Sequence, residues 1–128
     1  MRAAMSNSLK HVLLLGVLLS ATGCTVYVNR AESAYNEGRY LEVAEQLAVR
    51  EAEVTELGQR DQLRYGLYRG LALMQLGQYE DAKPWLARAR ELEQSKPLLT
   101  PRQRGQLDRG WQFVEQSASE RSRSAESP

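Results

Sequence analysis

Residues 64–92 read RYGLYRGLALMQLGQYEDAKPWLARAREL, two helical patterns joined by a Leu-Gly-Gln-Tyr turn. Around the first pattern, apolar or small residues recur at positions 63, 67, 70, 71 and 74, the spacing of one continuous helix face. Further apolar residues at positions 65, 72, 73 and 76 widen this surface. A helix that is apolar on more than one side must be covered from more than one side. We therefore expect this segment to be the central helix of the fold.

The rest of the chain predicts an all-α fold with five helices. Ala, Leu, Glu, Gln and Arg dominate, and these residues favour helix. Gly38, Gly58 and Gly77 each follow a helical run, where a left-handed C-terminal cap is expected. The segment Thr100-Pro101-Arg102-Gln103 combines a capping hydroxyl, a first-turn proline and a Gln that can reach back, which is typical of a helix start. The predicted helices cover residues 29–37, 40–57, 61–76, 79–93 and 101–116.

The C-terminal segment 117–128 is rich in Ser and alternating charges and has no apolar residue larger than Ala. Such a segment cannot bury a core, so we predict a disordered polar tail. The expected organisation is therefore a leader at 1–23, a helical domain at 24–116 and a tail at 117–128.

The chain also repeats itself. The segment Glu37-Gly38-Arg39-Tyr40 returns 39 residues later as Leu76-Gly77-Gln78-Tyr79, and Arg69-Gly70 returns 40 residues later as Arg109-Gly110. Self-similarity at this period indicates stacked helix–turn–helix units.

The segment 64–92 resembles a tetratricopeptide repeat. Gly70 and Ala82 match positions where paired helices approach closely, and Tyr79 and Leu86 match positions that fill the space between turns. Gly66 departs from the pattern, because the family prefers a large aromatic residue there. The resemblance implies two hairpins and a C-terminal capping helix over residues 26–116. Its expected packing positions are Gly38, Tyr40, Gly70, Gly77, Tyr79, Ala82, Leu86 and Ala89.

The N-terminal residues have the organisation of a secretory signal. Basic Arg2 and Lys10 precede an apolar run from Val12 to Leu19, which is shorter than the about 20 residues of a membrane-spanning helix. Small residues then lead to Cys24, the only cysteine. This junction resembles the lipobox of bacterial lipoproteins, which implies cleavage between Gly23 and Cys24 and a lipid on Cys24. An ordinary signal peptide followed by an unpaired thiol is the alternative reading.

Composition argues against most enzyme classes. The only histidine is His11, inside the predicted leader, and Cys24 is the expected lipid carrier. The predicted mature chain therefore offers no His or Cys for metal binding or nucleophilic catalysis. We find no glycine-rich phosphate loop or paired-carboxylate motif. We expect no catalytic residue, metal or cofactor, and nothing indicates a nucleic-acid site.

The resemblance implies a protein-binding function. In tetratricopeptide arrays the groove is lined by the first helix of each hairpin, and the corresponding positions are Arg64, Leu67, Leu71, Met74 and Gln75. The alternative is that Leu67, Leu71 and Met74 are core residues covered by the fifth helix. We predict an outer-membrane adaptor for a protein complex of the bacterial envelope, since Thr25 rather than Asp follows the cysteine. A self-associating structural lipoprotein is the other candidate, because a short array buries little core.

Overall fold

The computed structural model describes residues 26–127, and this part of the chain is helical without strands. The described part of helix α1 covers residues 26–36. It is followed by α2 (Tyr40–Ala48), a 3-10 helix (Glu51–Glu56), α3 (Gln59–Gln75), α4 (Tyr79–Ser95) and α5 (Pro101–Glu126). Helices α1 and α2 form one hairpin, α3 and α4 form a second, and α5 completes the array. The predicted all-α helical-hairpin fold is confirmed.

The two hairpin turns have the same geometry. Gly38 and Gly77 have φ values of 79° and 78°, in the left-handed region. After each glycine, the next backbone N–H returns to a carbonyl five residues earlier, Arg39 to Ala34 and Gln78 to Leu73, both at 2.9 Å. These bonds satisfy carbonyls that the helix end leaves open. The repeat seen in the sequence is therefore a repeat of helix-capping structure.

Helix α3 is the centre of the fold, as its wide apolar surface predicts. It packs against α2, α4 and α5. Its contact with α4 is close because Gly70 faces Leu86, where a Cβ atom would lie 2.7 Å from the Leu86 side chain. One turn earlier, a Cβ atom on Gly66 would lie 3.3 Å from the Trp85 carbonyl oxygen. The glycine that departs from the repeat pattern thus allows the same close approach.

The other predicted packing positions also contact the core. Ala82, Leu86 and Ala89 are fully buried, and Tyr40 and Tyr79 are partly buried against the core. Tyr40 packs against Tyr35 with ring centroids 5.2 Å apart.

Three details of the secondary structure differ from the sequence prediction. Helix α2 ends at Ala48 instead of continuing to residue 57. Near this end, the Leu47 carbonyl accepts hydrogen bonds from the Arg50 backbone N–H and from the buried Tyr65 hydroxyl. The chain then turns so that Val54 and Leu57 enter the core. Gly58 has a φ of −62° and precedes α3 rather than capping a helix C-terminus.

The third difference lies at the C-terminus. Helix α5 starts at the predicted Thr100–Gln103 capping box, but it continues to Glu126 rather than ending at residue 116. The prediction that residues 117–128 are disordered is wrong for 117–126. Ser side chains donate to carbonyls four residues earlier, and Arg121 pairs with Glu80 of α4 at 3.0 Å. Polar residues can thus continue a helix without contributing to a core.

Candidate functional site

The predicted partner surface on α3 is covered by neighbouring helices. Leu67 is 0% exposed and Leu71 is 2% exposed. Helix α5 crosses this face at Gly110, where a Cβ atom would lie 2.6 Å from Leu71 Cδ2 and 3.8 Å from Met74 Sδ. The absence of a side chain on Gly110 therefore lets α5 close over α3. Leu67 and Leu71 are therefore core residues, as the alternative reading expects, and Met74 is partly buried beside Gly110.

Arg64 is likewise unavailable to a ligand. It is 8% exposed, and its guanidinium is held by side chains of α1 and α3. It pairs with Glu32, donates to Asn29 Oδ1 at 2.8 Å and contacts Asp61 Oδ1 at 3.0 Å. Because these acceptors occupy the guanidinium, the predicted role of Arg64 in binding a partner's carboxylate is wrong.

Helix α5 joins the same polar cluster through Gln103. The Gln103 amide lies 3.2 Å from Glu32 Oε1 and 3.4 Å from the Tyr68 hydroxyl. Burial alone would raise the pKa of Glu32, but the hydrogen bond and charge of Arg64 together with hydrogen bonds from Tyr68 and Gln103 lower that pKa. Burial raises the pKa of Tyr68 to about 12, so its hydroxyl stays protonated at neutral pH. We call these residues the inner polar cluster: Asn29, Glu32, Asp61, Arg64, Tyr68 and Gln103.

The sequence contained part of this information. Asp61 precedes Arg64 by three residues, a spacing that pairs side chains on one helix. The contact of Arg64 with Glu32 joins residues 32 positions apart, so no local spacing in the sequence predicted it. Of the predicted groove residues, Met74 is partly buried and only Gln75 is exposed. One exposed residue does not make a binding surface.

A second buried charge has a structural explanation. Glu93 of α4 is 8% exposed, and its Oε2 accepts the backbone N–H groups of Leu98 and Leu99 at 2.9 and 3.1 Å. Arg104 lies 3.3 Å from its other carboxylate oxygen. Glu93 therefore holds the loop between α4 and α5. Within residues 26–127, no group of three or more His, Cys, Asp or Glu side chains could hold a metal ion.

The opposite face of α3 carries an open groove of about 520 Å³ between α2 and α4. We call it the outer groove. Its apolar lining includes Leu73 and Trp85, and Leu41 and Leu76 at its edge are 58% and 36% exposed. The full lining is Leu41, Ala44, Glu45, Ala48, Arg69, Leu73, Leu76, Gln78, Glu80, Asp81, Pro84 and Trp85.

Arg69 forms a fixed part of this groove. Its guanidinium lies 4.4 Å from the Trp85 ring centroid, 3.1 Å from the Tyr65 hydroxyl and 3.1 Å from Glu51. A guanidinium stacked on Trp and paired with a carboxylate has little freedom to serve a ligand. The remaining charged residues of the lining, Glu45, Glu80 and Asp81, are acidic.

Helix α2 forms one wall of the groove along most of its length, from Leu41 to Ala48. Helix α2 has 9 residues, whereas α4 has 17 and spans about 26 Å at 1.5 Å per residue. Both helices pack against α3. After Ala48 the chain departs into the 3-10 helix, so α2 covers only part of the α3 surface.

Cys24 and Gly23, the predicted lipidation and cleavage residues, lie outside the described residues. None of the helices formed by residues 26–127 is both long and apolar enough to cross a bilayer. Comparisons of the chain with protein-family models, with curated proteins and with solved structures give no match.

Proposed function

We propose that this chain is a lipid-anchored tetratricopeptide-like adaptor that binds a protein partner at the bacterial outer membrane. The observation that carries the proposal is the position of Cys24. Only Thr25 separates it from the first described residue of the helical array. Two residues of extended chain span about 7 Å. A lipid on Cys24 would therefore hold the array directly at the membrane surface.

This anchor would also orient the array. Arg64 of α3 contacts Asn29 in the first described turn of α1, and Gln103 in the first turn of α5 contacts Glu32 further along α1, so this end of the array holds the first described turn of α1 and the start of α5. The same end would face the membrane, because α1 follows Cys24. The turns at Gly38 and Gly77 lie at the other ends of their helices and would face away. The outer groove begins at these turns, with Leu41, Leu76 and Gln78 in its lining.

A binding role is supported by the surface that the described helices leave uncovered. The buried charged side chains Arg64 and Glu93 are held by contacts within the array, whereas the outer groove stays open. Hairpin arrays expose extended surfaces between their helices, and these surfaces are used for binding. Fold alone does not name the ligand.

The lipid anchor is tested by metabolic labelling with palmitate. We expect label in the wild type and none in Cys24→Ala, which should also accumulate as an uncleaved precursor. Label in the variant would contradict the anchor. Fractionation should place the wild type in the outer membrane, and recovery with the inner membrane would contradict that part of the proposal.

The adaptor role is tested by purification from native membranes after gentle cross-linking. We expect one foreign protein in constant stoichiometry with this chain. A homo-oligomer without a foreign protein would instead favour the self-associating structural role.

A further inference from the structure

We propose that the outer groove binds an amphipathic α-helix of the partner, one that carries basic side chains beside its apolar stripe. This inference rests on the proposed adaptor function, because it names the surface that the adaptor uses. It does not depend on the lipid. The proposed binding surface is therefore the open outer groove and not the covered inner face of α3.

The shape of the groove suits a helix. Ala44 and Ala48 are one helical turn apart on α2, so this wall has short side chains that let another backbone approach. Trp85 and Leu73 form an apolar base, and the exposed Leu41 and Leu76 extend it at the mouth. Recognition of a helix in a groove uses apolar side chains at spacings of three and four residues.

The acidic residues at the rim of the outer groove, Glu45, Glu80 and Asp81, favour a basic partner. Glu45 and Asp81 are exposed, and neither forms an ion pair within the described chain. The Glu80–Arg121 pair is exposed on both sides, so a partner's cation could replace Arg121 at little cost. Arg69 adds a positive charge, but Glu51 already neutralises it.

Pro84 adds an uncharged acceptor to the same rim. Proline has no backbone N–H, so the carbonyl of Glu80 lacks its helical donor. A Lys or Arg side chain that reaches this part of α4 could donate to that carbonyl. The rim thus offers carboxylates and a carbonyl without its usual helical donor, which are acceptors for basic side chains.

The test uses a fluorescent 18-residue peptide designed as a helix with a Leu/Ala stripe flanked by Lys and Arg. The purified full-length chain is used in a nonionic detergent, which serves whether or not Cys24 carries a lipid, and detergent alone is the blank for peptide that binds the micelle. Fluorescence anisotropy measures the affinity. We expect the basic peptide to bind at least about tenfold more tightly than a peptide with Glu flanks, with an affinity that falls as salt is added.

Variants locate the binding site. Glu45→Lys combined with Asp81→Lys should weaken binding of the basic peptide by about tenfold or more. The matched control is Glu91→Lys combined with Glu115→Lys, which changes the charge equally at exposed acids outside the groove. The control should bind as the wild type does. Circular dichroism melts establish that both variants are folded.

Three results would overturn the inference. The first is equal binding of the basic and acidic peptides, and the second is equal loss of binding in both double variants. The third is self-association of the wild type that the groove variant abolishes, because the groove would then hold a second copy. If palmitate labels Cys24 but the groove variants bind normally, only the groove inference fails. If the groove binds as expected but Cys24 carries no lipid, only the anchor fails.

Discussion

Helix α3 has one closed face and one open face. On the inner side, α1 and α5 meet over it, and the inner polar cluster ties all three helices together. On the outer side, α2 and α4 flank it but leave a groove of about 520 Å³. The two faces belong to the same helix, so the difference comes from their neighbours. Whether a helical array offers a binding surface depends on the length and contacts of the covering helices.

The closed face also depends on more specific contacts than the open face does. Arg64 is nearly buried and needs acceptors from two helices, and Gly110 must lack a side chain for α5 to approach. The open face is lined by side chains of α2, α3 and α4 that leave a space between them. Perturbing the inner face should therefore change stability, and perturbing the outer groove should change binding alone.

The largest expected effect is that of Arg64→Met. The substitution leaves Glu32 and Asp61 without their cation. We expect a loss of about 3 kcal/mol in unfolding free energy, the lower end for a broken buried pair, since the two carboxylates remain 29% and 19% exposed. Urea unfolding followed by circular dichroism measures it.

A double variant identifies the cause. Adding Glu32→Gln to Arg64→Met removes one of the stranded charges, so part of the lost stability should return. An unaltered unfolding midpoint in Arg64→Met would show that the inner polar cluster contributes nothing to closing this face.

The second effect is that of Gly70→Leu at the contact of α3 with α4. The added side chain must displace Leu86, whose Cγ lies 2.7 Å from the position of a Cβ atom. Overpacking of this kind costs about 1–3 kcal/mol. The matched control is Gly105→Ala on α5, where the nearest neighbour is the flexible Arg109 side chain. Replacing a glycine in a helix by Ala should stabilise the control, so equal melting temperatures would contradict the close contact.

The third effect is a pH dependence confined to the inner face. The pKa of Glu32 is lowered in the folded protein from its ordinary value of 4.5. Its charge therefore stabilises the fold above that value, and the contribution is lost as the pH falls through the lowered pKa. The stability difference between wild type and Glu32→Gln should be largest near pH 7 and shrink below about pH 4.5. A difference that stays constant from pH 7 to pH 3 would contradict this role of Glu32.

The sequence predicted the elements that depend on local chemistry. The helical turns at Gly38 and Gly77, the capping box at Thr100 and the helix that continues through Pro84 are all present. Each is set by a few neighbouring residues. The early end of α2 was missed because no Gly or Pro marks it, and the chain turns after Ala48 so that Val54 and Leu57 reach the core.

The candidate site was harder to predict, because it depends on which face of α3 is covered. The spacing of Leu67 and Leu71 shows an apolar stripe but not the helix that lies on it. The decisive contacts, Gln103 with Glu32 and Gly110 with Leu71, join distant parts of the chain. The outer groove had no sequence signal, since its lining combines residues of α2, α3 and α4 that are distant along the chain.

The smallest effect is expected from deleting residues 117–128, which belong to neither face. Residues 117–126 are helical, and Arg121 connects them to the array through an exposed ion pair with Glu80 and a guanidinium 6.0 Å from the centroid of the Tyr79 ring. An exposed ion pair contributes about 0–1 kcal/mol, so the melting temperature should hardly change. The helical signal in circular dichroism should nevertheless fall in proportion to the residues removed. Arg121→Gln in the full chain is the control for the ion pair alone. A large loss of stability on deletion would mean that α5 closes the inner face only when its whole length is present.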